Sequence, residues 1–183
     1  MNLSRKGWFH VLASWLIAWG ERTAPDFIIH NATGEYLRRR YLLPRNPLLN
    51  AYLHEIVGPD DDRALHCHPW WNGSLILQNG YDEVLPLTQE QDPAFDYWHG
   101  GTTVAERRTG DVIFRTGGVR HRLVDRPDLG TTWTLFITGP QYRLITWLRF
   151  RSAWGFHCRN GFVPWRRFVS ARDKGTVGAG CGD

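Results

Sequence analysis

Polar and apolar residues alternate along most of this chain, in short runs separated by Gly, Pro, Asn and Asp. Residues 51–57 put Tyr52, His54 and Ile56 on one side of an extended segment and Leu53, Glu55 and Val57 on the other, the period of a strand. The same reading predicts strands over residues 64–70, 74–78, 81–87, 102–108, 111–115, 121–125 and 131–138, then 144–150, 153–158 and 162–169. Asn79-Gly80 between two apolar runs predicts a two-residue hairpin. Residues 89–101 read as a loop. One segment departs from the pattern: Trp8, Leu12, Trp15 and Trp19 recur at helical spacing. That predicts a helix whose aromatic face packs on the strands or on a second copy of the chain. Many short strands with regular turns indicate an all-β sandwich or a closed barrel.

At 183 residues the chain is long enough for one well-buried core. Three parts are expected: residues 1–34 as helix and connector, 35–169 as the barrel, and 170–183 as a flexible Gly-rich tail. Only Lys6 and Lys174 are lysines, the other basic residues being Arg. Arginine favours planar anions, although codon bias produces the same skew. No nucleic-acid motif accompanies it, so no nucleic-acid partner is expected. The Trp8-to-Trp19 segment is too short to span a bilayer and lacks a small-residue cleavage site, so no membrane partner is expected. Cys67, Cys158 and Cys181 form an odd, sparse set, which reads as no disulfide framework and as a reducing, cytoplasmic setting.

The chemistry concentrates at His66 and His68. One residue apart on a strand, they project to the same face, where two imidazoles can grip one divalent metal. His121, after a Gly-Asp turn and a Gly pair, is the candidate third ligand. The structural alternative is two ordinary strand histidines, which the third histidine makes the weaker reading. Cys67 should point away from them as a buried, inert thiol. Asp60-Asp61-Asp62 lacks the ligand spacing of a calcium loop and reads as a solvated turn. Phosphate-loop, nucleophile-elbow and dinucleotide fingerprints are missing from the sequence.

These stretches resemble the two sequence motifs of the cupin superfamily, the jelly-roll β-barrels also called double-stranded β-helices. His66, His68 and Gly80 fall at the first motif's positions, with Asp60 where its first Gly would stand; Gly110, Gly118 and His121 fall at the second's, with Thr116 and Asp125 for its Pro and Asn. The ligating glutamate of the first motif is replaced by Gly73. A narrower resemblance is to poorly characterised bacterial and phage cupin-like proteins. It is carried by His66-Cys67-His68-Pro69-Trp70, Gly80-Tyr81-Asp82-Glu83 and Trp154-Gly155-Phe156 before Gly161-Phe162-Val163-Pro164-Trp165.

The resemblance implies an all-β cupin-type jelly-roll barrel and a three-histidine site for a divalent metal, Fe(II) foremost, with Zn, Ni or Mn as alternatives. Such a site favours a dioxygenase-type reaction on a small anionic molecule. The competing reading is a non-catalytic ligand-binding or structural barrel, of phage or mobile-element origin. A homodimer is the expected assembly. Glu83 is a candidate fourth ligand; strand parity across a two-residue hairpin turns it outward, and a bulge would turn it in. Tyr81 and Arg115 are the candidate catalytic residues, Tyr81 as pocket wall and Arg115, with Arg120, as an anion clamp. Trp70 and Trp133 are further wall candidates. Of the remaining histidines, His10, His30, His54, His99 and His157, His54 is the one expected near the site.

Overall fold

The most apolar strand of the sequence becomes the centre of the larger of two layers. In the computed structural model, which describes residues 5–31, 34–60, 64–87, 101–140, 154–158, 161–168 and 180–181, this strand is β10 (Thr132–Thr138). Trp133 and Leu135 pack under helix α1 (Arg5–Arg22), while Thr134 and Phe136 face a cavity between the layers. Both of its faces are covered, so it carries apolar residues on both. The elements before it are β1 (Phe27–Asn31), β2 (Gly34–Tyr41), β3 (Asn50–Ile56), β4 (Leu65–Cys67) and β5 (Asn72–Gln78). Then come β6 (Gly80–Pro86), β7 (Thr102–Arg108), β8 (Val112–Arg115) and β9 (Arg122–Val124). After β10 follow β11 (Gly155–Cys158), β12 (Gly161–Pro164) and the single turn α2 (Trp165–Phe168).

One layer is a six-stranded sheet in the order β1-β2-β3-β10-β5-β8, and the other holds two three-stranded pieces, β12-β11-β4 and β7-β6-β9. A backbone bridge between His66 and His121 joins these pieces across β4 and β9. The eight strands β3 to β10 therefore run β3-β10-β5-β8 in one layer and β4-β9-β6-β7 in the other. That order is a jelly roll, two Greek keys closed face to face.

Several expectations from the sequence are corrected here. Asn79-Gly80 does not close a hairpin: β5 pairs with β10 and β8, and β6 with β7 and β9, so the turn carries the chain from one layer to the other. Thr132 pins this corner, its hydroxyl donating to Gly80 O at 2.6 Å and accepting from Gly80 N–H at 3.1 Å. A Cβ on Gly80 would stand 2.0 Å from the Arg107 carbonyl oxygen, so only glycine fits. The segment expected as a strand over 162–169 is a strand only to Pro164 and then turns helically. The apolar piece at Phe27 inside the expected connector is β1, paired with β2.

Helix α1 also docks by a different face from the one expected. Trp8, Leu12 and Trp15 are 63%, 45% and 64% exposed, whereas Ala13 and Leu16 are buried against Leu53, Leu77 and Trp133, with Trp19 partly buried beside them. Small residues decide this. A Cβ on Gly20 would lie 2.6 Å from the Trp133 ring, a closeness that a stripe of tryptophans cannot reach.

The cysteine reading is corrected as well, because Cys158 and Cys181 form a disulfide. Leaving one free thiol, an odd count is compatible with a bridge, and the inference to a reducing compartment loses its support. The expected strand over 144–150 lies outside the described residues, as do most of the expected loop over 89–101 and most of the expected tail. Within that tail Gly180 N–H donates to Phe168 O at 3.1 Å beside the bridge. No helix among the described residues is long and apolar enough to cross a membrane.

Candidate metal centre

His66 lies in β4, His68 one residue past its end, and His121 faces His66 across the bridge that joins the half-sheets. The two backbones exchange hydrogen bonds of 2.9 and 3.0 Å, which sets the imidazoles side by side. Ring centroids are 4.5 Å apart for His66 and His121, 5.0 Å for His66 and His68, and 5.5 Å for His68 and His121. One nitrogen from each lies within 4.8 Å of the others. All three line one cavity of about 160 Å³.

Two carboxylates stand behind this trio. Asp60 Oδ2 lies 2.9 Å from His66 Nδ1, and Glu83 Oε1 lies 3.1 Å from His121 Nδ1. Both contacts are off the hydrogen-bond line although their distances are short. A carboxylate on one ring nitrogen fixes the tautomer and frees the other nitrogen, the usual support of a metal-ligating histidine. Asp60 is a correction to the sequence reading: it is buried rather than part of a solvated turn. Its acidity, six residues before His66, is the one signal that pointed to it.

The carboxylate of Glu83 stands behind His121 and not in the converging group. It is fully buried and bound by Arg107 Nε at 2.8 Å, by Arg115 Nε at 2.7 Å, by a closer Arg115 Nη2 contact, and by His121. The parity expectation fails because it assumed that β6 pairs with β5. In the opposite layer, β6 turns Tyr81 and Glu83 inward. Burial by itself would push the Glu83 carboxyl up, but the close His121 Nδ1 contact and the Arg115 charge hold it well below the usual carboxylate range. Burial, helped by the Arg115 and His66 charges, lowers His121 to about 3, so its imidazole is neutral at ordinary pH, the form in which a histidine can bind a metal. His68 is likewise pulled well below its ordinary value, by burial first and the neighbouring histidines next.

Tyr81 and Arg115 both line the cavity, and they are tied to each other. The Tyr81 hydroxyl hydrogen-bonds with Arg115 and Ser74, so the wall behind His121 is one chain from Ser74 through Tyr81 and Arg115 to Glu83. As an anion clamp, Arg115 is therefore already occupied by a carboxylate. Arg120 is buried outside the cavity lining, where its charge bears on Cys67 and His157. Trp133 lies on the α1 side of its sheet. Trp70 backs His68, the two rings stacked at 5.7 Å.

Cys67 points away from the trio, its Sγ 3.3 Å from His157 Nε2, and burial pushes its thiol up to about 11. That is the profile of an inert thiol. His54 does line the cavity, although its strand lies between β2 and β10 and not beside β4; His30 lines it too. His10 is exposed on α1, and His99 lies outside the described residues.

A scan against protein-family models and a search of the curated proteins found no match. Among solved structures the chain is similar to the Fe(II) form of HppE, with TM-score 0.44 and 14% identity over 58% of this chain and 52% of that one. It is also similar to a conserved protein with a double-stranded β-helix domain from Klebsiella pneumoniae, with TM-score 0.43 and 11% identity over 66% of this chain and 84% of that one. A cupin domain from Bordetella pertussis Tohama I has TM-score 0.40 and 10% identity, over 64% of this chain and 96% of that one. The alignment spans about half of HppE. With β3-β10-β5-β8 facing β4-β9-β6-β7 and three histidines converging between them, this chain has the cupin-type, double-stranded β-helix fold.

Proposed function

We propose that this protein is a mononuclear non-haem metal enzyme of dioxygenase type, acting on a small anionic molecule inside the barrel. The observation that carries the reading is the carboxylate-backed histidine trio opening on an aromatic-walled cavity. The residues present fit a divalent ion: His121 Nε2 and His68 Nδ1 are buried without a hydrogen-bond partner, and three neutral imidazoles suit Fe(II) as well as Zn(II), Ni(II) or Mn(II). Such an ion supplies a Lewis-acidic centre, redox-active in the case of iron, with positions left open for ligands.

The chain's own residues supply the rest. Glu83 and Asp60 stand close against Nδ1 of His121 and His66, the side of each ring from which a carboxylate would favour presenting the opposite nitrogen to an ion. Arg115 and Tyr81 act as positioning residues, holding Glu83 and sealing that wall. Phe136, Trp154 and Phe156 exclude water from the space in front of the histidines.

A non-catalytic binding barrel is the second reading. What favours it is that Glu83, Arg115 and Tyr81 are all engaged in the wall and Asp60 is held against His66. Metal analysis and O₂ uptake separate the two. Iron-loaded protein should hold one metal per chain and consume O₂ with at least one member of a panel of small organic anions. His66→Ala, His68→Ala and His121→Ala should each lose most of the metal, whereas His157→Ala keeps it. Full metal occupancy with no O₂ uptake would leave the binding barrel standing.

A further inference from the structure

Three arginines stand in a row on β2. Strand alternation sends Arg38 and Arg40 to the outer face, where Glu55 binds both, at 3.0 and 2.9 Å. Arg39, between them, turns into the cavity. Its Nε–H donates to His54 Nε2 at 2.9 Å, and its guanidinium carbon lies 4.8 Å from the centroid of the Tyr52 ring. Among the described residues no carboxylate pairs with it. The one carboxylate in the cavity lining, Asp60, stands against His66, and Glu83 behind the wall is held by Arg107, Arg115 and His121. Burial pulls the Arg39 pKa down from its ordinary value, yet a guanidinium stays charged.

A second cation shares this end. Arg45 lines the same cavity, 5.8 Å from the centroid of the Tyr41 ring and hydrogen-bonded to Tyr52. Arg45 is exposed, and its charge bears on the half-buried Arg39; that repulsion, added to the desolvation of Arg39, is a cost that a bound anion would offset. The span from these cations to the trio is short. His54, which Arg39 binds, stacks on Phe136 at 4.9 Å, and Phe136 lies 6.5 Å from His68, so two rings separate Arg39 from the trio. The cavity volume of about 160 Å³ is close to the roughly 150 Å³ that accommodates benzene.

We propose that the cavity binds a small organic carboxylate, sulfonate or phosphonate lengthwise, its anionic group on Arg39 and Arg45 and its apolar body against Phe136. The other end of the molecule then meets His66, His68 and His121, and its fate there rests on the metal-enzyme reading above.

The test uses the full chain, both loaded with redox-inert Zn(II) and metal-free, titrated by calorimetry in low salt. The probes are benzoate, benzenesulfonate and phenylphosphonate, against the neutral benzamide and benzyl alcohol. Wild type should bind the best anion at least about tenfold more tightly than either neutral probe, which is the effect of one charge-assisted contact of about 1.4 kcal/mol. Arg39→Gln should bring anions and neutral probes within about twofold while leaving metal content unchanged. Arg45→Gln should lower the preference by less, and Arg39→Lys should keep part of it. Arg38→Gln, on the outer face, should leave it intact. A structural role for Arg39 is separated by melting without any anion: removing an unpaired cation should leave the melting temperature unchanged or higher. Equal binding of anions and neutral probes by wild type would overturn the proposal. So would an anion preference that survives Arg39→Gln together with Arg45→Gln. Because the metal-free arm reads the arginines alone, a failure of metal binding leaves this test intact.

Discussion

Two glutamates in this chain each bind two arginines, and they do different work. Glu55 on β3 takes Arg38 and Arg40 on the outside of the larger sheet, where the Arg38 side chain is 38% exposed and water reaches the network. Glu83 on β6 takes Arg107 and Arg115 inside the barrel; its side chain is wholly buried and its Oε1 also faces His121. The composition is the same and the surroundings differ. In the outer network Arg40 is buried but Arg38 reaches solvent, so the Arg38 pairing adds only modestly to stability. In the inner one every charge depends on its neighbours, and the excess positive charge helps keep His121 neutral.

Glu83→Ala tests this contrast hardest. It strands Arg115 and Arg107 and removes the brace from His121, and should cost about 3–5 kcal/mol in denaturant unfolding. Metal affinity should fall about 10- to 100-fold for the same reason. Glu55→Ala should cost less, about 1–3 kcal/mol, because Arg40 keeps its bond to Thr23 O at 2.7 Å, and metal affinity should not change. Equal losses in the two variants would break the comparison.

Acid should act on the inner region next. His121 and His157 are held at about 3 and about 4 in the folded chain, against 6.5 when unfolded. Their folded values are depressed, so the unfolded chain binds more protons between those limits. Stability of the metal-free protein is therefore full above pH 6.5 and falls as pH drops toward 4 and then 3. Each histidine contributes a slope of up to about 1.4 kcal/mol per pH unit. Thermal melts across pH 7 to 4 read this directly, and a flat profile would show that the histidines titrate freely. Bound metal should be lost in the same direction, at lower pH than a free imidazole would suggest.

The smallest effect belongs to the outside of α1. Trp8→Ser and Trp15→Ser should change stability by no more than about 0.5 kcal/mol, since both side chains are mostly exposed. Leu16→Ala, on the docked face of the same helix, should cost about 2–5 kcal/mol. Chemical denaturation of the three variants ranks them.

Much of the centre is legible in the residues. His66 and His68 at a spacing of two, and His121 after its glycines, end within 4.8 Å of one another. Gly80 is read correctly as a turn residue, but the partner of its strand is not. The orientation of Glu83 follows from which layer β6 joins, and that pairing is set by β7, some twenty residues downstream, and by β9. Asp60 reads as one of three acidic turn residues until the fold presses it against His66. In α1 the apolar residues run around much of the helix, so periodicity does not select a docking face; Ala13 and Gly20 do, by allowing close approach to Leu53 and Trp133.

What the sequence by itself determined is local. It set where strands start and stop, which residues share a face, and that two histidines on one strand reach one point with a third nearby. Which face looks inward was left to the closure of the two layers. Pairing across the barrel decided that Glu83 would be buried and that Arg39, rather than Arg38 and Arg40, would face the cavity, and the tertiary fold brought Cys181 to Cys158. The physical reason is that side-chain direction along a strand has a period of two with an undetermined sign. That sign is fixed only when distant segments exclude water together from one side.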